Sequence, residues 1–152
     1  MVKDIAKKGG ATPKMTSQTD SIKRTTASTW SKRSRVLQDK IDTLIQMKGV
    51  LSRLAEFQQL EQNWDGDNAD PILNSTLELA NDVAKHLIAC KVKIDFCAPM
   101  RNGGVQFEFK LREDCEIEIY PNGDIYFLTY DSLSNLINKE KITLEQLKNH
   151  VG

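Results

Sequence analysis

Histidine and cysteine are scarce: the chain has two His and three Cys in 152 residues. Cys90, Cys97 and Cys115 are odd in number and lack C-x-x-C spacing, which argues against a disulfide framework or zinc knuckle and for a reduced, cytoplasmic protein. His86 and Cys90 share a helix face at i, i+4, but no second closely spaced pair completes a metal set. A Cys–His nucleophilic pair lacks a positioned base, and His150 sits near the end of the chain. There is no G-x-S-x-G, P-loop or G-x-G-x-x-G motif. Gly103-Gly104 leads into a strand rather than opening a helix, so it is no phosphate cradle. No apolar run approaches the ~20 residues of a membrane-spanning helix, and MVKDIAKKGG has no apolar signal region. These absences predict no enzyme activity, cofactor, metal or membrane association.

Net charge is also absent, but only as a sum. Met1 to Arg35 carries nine Lys/Arg and two Asp/Glu, whereas Val36 to Gly152 carries twelve and nineteen. The basic end suits a polyanion or an acidic partner, and the acidic remainder suits a basic one.

Residues 1–30 read as a disordered basic tail, because their apolar residues are too dispersed to bury a face. Residues 31–152 read as one α+β domain with its core over 55–130. A long first helix is expected over 31–62. Leu37, Ile41, Leu44, Met47, Leu51 and Leu54 recur at three- and four-residue steps, and Val50, Phe57 and Leu60 widen the stripe. The upper part of that stripe is coiled-coil-like and allows a homodimer. Gly49, inside the helix, costs about 1 kcal/mol relative to Ala and marks a bend or a close helix contact.

Asn63 to Pro71 is dense in turn formers and ends the helix. A second helix is expected from Asn74 to Ala89, with Ser75 and Glu78 as a capping box. The period then becomes two. Val92, Ile94 and Phe96 alternate with Lys93, Asp95 and Cys97, as do Val105, Phe107, Phe109 and Leu111 with Gln106, Glu108 and Lys110, and Cys115, Ile117 and Ile119 with Glu116, Glu118 and Tyr120. Pro121-Asn122-Gly123-Asp124 is a hairpin turn before a last strand, Ile125 to Tyr130. Short connections require antiparallel neighbours. The expected fold is therefore two helices on one face of a three- to four-stranded antiparallel meander. A polar connection and a short helix capped by Thr143 complete it.

Four features invite a functional reading. Asp65, Asp67 and Asp70 suggest a cation loop, but counting from Asp65 the glycine falls second and Thr76 twelfth, so the calcium pattern fails. Trp64 either closes the core beneath its loop or anchors a partner. Glu108, Glu116 and Glu118 are expected on the outward face of neighbouring strands, as a solvated surface or an acidic docking face. Lys23, Arg24, Lys32, Arg33 and Arg35 cluster around Trp30, a combination suited to phosphates and a stacked base or to an acidic protein.

Asn63-Trp64-Asp65-Gly66, with Ala69 and Pro71-Ile72, resembles a family of small uncharacterised bacterial proteins. In these an N-W-D-G-x-x-A-x-P-I segment precedes a helix, then a GG[IV]-x-[FL]-E strand and an acidic hairpin. Gly103 to Phe109 and Glu116 to Gly123 look like the later elements, while Leu73-Asn74 stands where such proteins often show Ser-Pro. The resemblance covers about residues 55–130. It implies the order helix, strand, strand, strand, and it supplies no activity. The function expected is a non-enzymatic protein-interaction module of a bacterial or phage/mobile-element accessory system: an antitoxin, immunity protein or small complex subunit. The alternatives are a nucleic-acid-binding accessory factor using the tail, and a cryptic hydrolase or metal enzyme.

Overall fold

A computed structural model describes residues 9–11 and 18–152, with side chains described for 9–11 and 29–152. Much of the predicted tail, with the side chains of Lys23 and Arg24, lies outside the described residues. The chain divides into two units, Met1–Gln38 and Asp39–Gly152. Helix α1 (Gln18–Phe57) runs from the first into the second. It therefore starts well before residue 31, correcting the expected boundary. Between Gln18 and Trp30 there is no Pro or Gly, and a segment need not bury a face in order to be helical. The helix stops at Phe57 rather than 62. Its last turn tightens, with Gln59 and Leu60 amides donating to the Glu56 and Phe57 carbonyls, and Asn63 then takes φ 67°.

In the second unit, α2 (Asn74–Ala89) precedes strands β1 (Ile94–Pro99), β2 (Val105–Lys110), β3 (Asp114–Ile119), β4 (Ile125–Tyr130) and β5 (Leu136–Ile142), and α3 (Leu144–Val151) ends the chain. The strands form an antiparallel sheet in sequence order, so the α+β meander is confirmed and extended to five strands. The added strand, β5, reads LINKEKI. Its side chains are exposed up to Ile142, so it lacks the alternation that reveals a half-buried strand. Its Lys139 and Lys141 charge a sheet edge that would otherwise invite further strands.

One sheet face is buried. Val105, Phe107 and Phe109, then Cys115, Ile117 and Ile119, then Ile125 and Phe127 form it as period-two rows. Val50, Leu54 and Phe57 of α1, Ala80, Val83, Ala84 and Leu87 of α2, and Leu147 and Val151 of α3 belong to the same core. Thr143 caps α3 as expected: its side chain accepts from the Gln146 amide while Gln146 accepts from the Thr143 amide. The box expected at Ser75 does not form, because α2 begins at Asn74 with Leu73 in the cap position and Ser75 already inside the helix.

A bulge alters β1. The register shifts between Ile94 and Phe96, so Cys97 faces the core and Phe96 turns outward, 49% exposed. This overturns the inward placement of Phe96, since one extra residue exchanges the faces of everything beyond it.

The Asn63–Pro71 turn is a framework of short bonds. Asp65 Oδ1 accepts from the amides of Asp67 and Ala69, Asn63 Oδ1 accepts from the Asn68 amide, and the Asn63 amide donates to the Ala69 carbonyl. Arg101 reaches across from the β1–β2 loop to Asp65 at 2.7 Å and also pairs with Asp67. Gly103 permits this approach, since a Cβ there would lie 3.0 Å from the Pro71 carbonyl oxygen; a Cβ on the adjacent Gly104 would lie 2.5 Å from the Ile119 carbonyl oxygen of β3. Gly104→Ala should destabilise the fold by roughly 1–3 kcal/mol, because backbone must move to admit the methyl. Urea denaturation read by circular dichroism checks this.

Candidate functional site

The outer sheet face brings the three predicted glutamates together. Glu108 and Glu116 are directly opposed partners on β2 and β3, Gln106 opposes Glu118, and Glu118 in turn opposes Tyr126 on β4. Like charges in direct cross-strand opposition disfavour the fold. A hydrogen-bonded network surrounds them. The Tyr130 hydroxyl donates to Glu116 at 2.9 Å and the Tyr120 hydroxyl to Glu118 at 2.8 Å. Lys139 Nζ lies 2.6 Å from Glu118 and sits over the Tyr126 ring, 5.0 Å from its centroid. Tyr120 and Tyr126 meet edge to face.

Alternation does not single out the tyrosines as site residues, because it marks an outward position without saying what that position gathers. Nor does it single out Leu128. This residue points outward between Glu116 and Lys139 in the register, yet it is only 3% exposed. Its along-strand neighbours on that face are Tyr126 and Tyr130. The outer face thus has a small apolar floor and is more than a solvated surface. A three-residue outward run, Tyr126, Leu128, Tyr130, is the signal in sequence that points to it.

Burial pushes the Glu116 carboxyl above the usual glutamate range, and the charges of Glu118 and Glu108 add to this while the Tyr130 hydrogen bond opposes it. Burial likewise raises the Tyr130 hydroxyl, helped by its bond to Glu116. Tyr120 moves the same way, by burial and then by its bond to Glu118.

The other predicted residues lie elsewhere. Trp64 is half-buried and donates its indole N–H to the Asp70 carbonyl at 3.0 Å, so it serves its own turn. The Asp67 amide, together with the Ala69 amide and Arg101, holds the Asp65 carboxyl below the usual carboxylate range, which fits a structural turn. Trp30, Lys32, Arg33 and Arg35 are exposed on α1. His86 Nδ1 is 2.9 Å from the Asp82 carbonyl oxygen within α2, and burial raises the Cys97 thiol to about 12, far from a reactive thiolate. Among the described residues, no three His, Cys, Asp or Glu side chains gather as a metal set, and no helix is long and apolar enough to cross a membrane.

Compared with family models, curated proteins and solved structures, the chain matches none.

The raised Glu116 pKa has a definite sign. Its folded form binds a proton more tightly than the unfolded chain does. Its contribution to stability is therefore fully present below the ordinary glutamate pKa and is lost as pH rises through the raised value. Glu116→Gln should accordingly melt above the wild-type protein near pH 7, with the difference closing below about pH 4. Thermal melts across that range test it, and a constant difference would assign the effect to packing instead.

Proposed function

We propose that this chain is a non-enzymatic protein-interaction module, and that its outer sheet face receives a basic partner. The antitoxin, immunity and small-subunit roles in a bacterial or mobile-element system all belong to this reading. The observation that carries it is the direct opposition of Glu108 and Glu116, with Glu118 beside them. A sheet free to choose would alternate charges here. Lys139 is bonded to Glu118, whereas the hydrogen bonds to Glu108 and Glu116 come from the neutral side chains of Gln106 and Tyr130. A Lys or Arg side chain from a partner would offset that repulsion, and the tyrosine rings would pack against its aliphatic stem.

The signature is a residue pair that costs stability and supplies binding. Tagged full-length protein should capture a basic protein from an extract of the cells that make it, and moderate salt should release it. The variant Glu108→Gln/Glu116→Gln should melt no lower than wild type and bind about tenfold more weakly or worse. Capture of nothing, or equal capture by both proteins, would count decisively against the reading.

The alternative, nucleic-acid binding by the basic end, has one supporting observation of its own. Trp30 is 71% exposed, close in sequence to exposed Lys32, Arg33 and Arg35. Gel shifts with single-stranded DNA and RNA over a salt series test it. Replacing the three cations with Gln should flatten the salt slope by about 0.9 for each duplex phosphate no longer neutralised, or about 0.7 on single strands. Absence of binding at low salt removes this reading.

A further inference from the structure

Along one border of the Asp39–Gly152 unit, α1 and the open edge of β1 enclose a groove of about 740 Å³. Its lining includes Asp42, Ile45 and Gly49 from the helix and Ile94 and Phe96 from the strand. Ile45 is 65% exposed, and on the same helix Ile41 and Leu44 are 48% and 69% exposed. The core is complete without these side chains. Gly49 has no intramolecular reason to be glycine: a Cβ there would meet nothing within 4 Å, although glycine weakens a helix interior.

We infer that a second copy of this chain occupies the groove, with the two α1 helices crossing antiparallel on a two-fold axis through Ile45. The helix-surface neighbours of Ile45 lie three and four residues away: Ile41, Asp42, Lys48 and Gly49. A two-fold axis at Ile45 brings residues whose numbers are symmetric about 45 face to face. Ile41 then lies over Gly49 of the second copy, and Asp42 meets Lys48 of the second copy. Both pairings recur with the copies exchanged, as an isologous interface requires. The glycine receives a bulky side chain, the charges are complementary, and Ile45 packs on itself. A parallel heptad seam through Ile41, Leu44 and Leu51 fits worse, because it stacks Lys48 against Lys48. Phe96, turned outward by the β1 bulge, lies along the same groove and is covered by the same partner. These apolar side chains form the centre, and the charged pairs the rim, of a patch of the kind that stable dimers use.

Phe96 opposes Glu108 in the register, so the groove adjoins the outer sheet face; substitutions at Asp42, Lys48 and Gly49 on α1 test the dimer without altering the glutamates. Sedimentation velocity of the full chain over a dilution series should show a monomer–dimer equilibrium. Asp42→Lys and Lys48→Asp should each weaken dimerisation about tenfold or more, and the two together should restore it. Gly49→Leu should give a monomer whose melting temperature, measured where the wild type is also monomeric, is not lowered, because the space at Gly49 is open in the single chain. A chain that stays monomeric at every concentration overturns the inference. So does a dimer that survives Gly49→Leu, or a double charge reversal that fails to restore association.

Discussion

The structure depends on the burial of one sheet face beneath α2. Ala80, Val83, Ala84 and Leu87 are all fully buried there, and so are Val105, Phe107, Ile117 and Ile119 of the central strands. Two alanines let the helix approach closely, while Phe107, Val83 and Leu87 fill the space between. Large, non-directional burial of this kind is the main favourable term in a domain of this size. It also determines which side chains point outward, because period two leaves no choice once one face is committed. The opposition of Glu108 and Glu116 is thus a consequence of the core on the other side of the sheet.

The segment Asn63–Pro71 and the Gly103-Gly104 loop form a structural clamp. Each conspicuous residue has a bonding role: Asp65 organises the turn, Trp64 spans it, Arg101 holds it from the far loop, and the two glycines make room for backbone. This gives a physical reason for those residues to occur together, independent of any activity. An acidic, aromatic-bearing loop can resemble a ligand site in sequence while its central carboxylate, Asp65, holds the chain's own amides and Arg101. Within the Asp39–Gly152 unit, the surfaces proposed for function are the outer sheet face and the α1–β1 groove.

Much of the fold is legible in the sequence because its signals are local. Alternation reveals β2, β3 and β4, the Asn-Gly turn joins two of them, and Thr143 announces α3. The failures are local too. β5 is an edge strand with little to bury, so LINKEKI carries no period. The residues after Gln18 carry no apolar stripe, so nothing in their pattern distinguishes a helix from a tail. The β1 bulge is invisible in sequence because Phe96 and Cys97 are both acceptable inward residues. Of the candidate site, the glutamates are legible as outward positions, whereas their tyrosine partners and the apolar floor at Leu128 are not.

By itself, the sequence determined the α+β class, the antiparallel order of the strands, the charge division and the absence of recognisable catalytic motifs. These follow from spacing and composition, which act within a few residues along the chain. Only the tertiary structure decided which charges oppose one another, that Lys139 from a distant strand bonds to Glu118, that Phe96 faces outward, and that Gly49 borders open space. Those facts depend on register and on the meeting of residues far apart in sequence, and no local pattern encodes them.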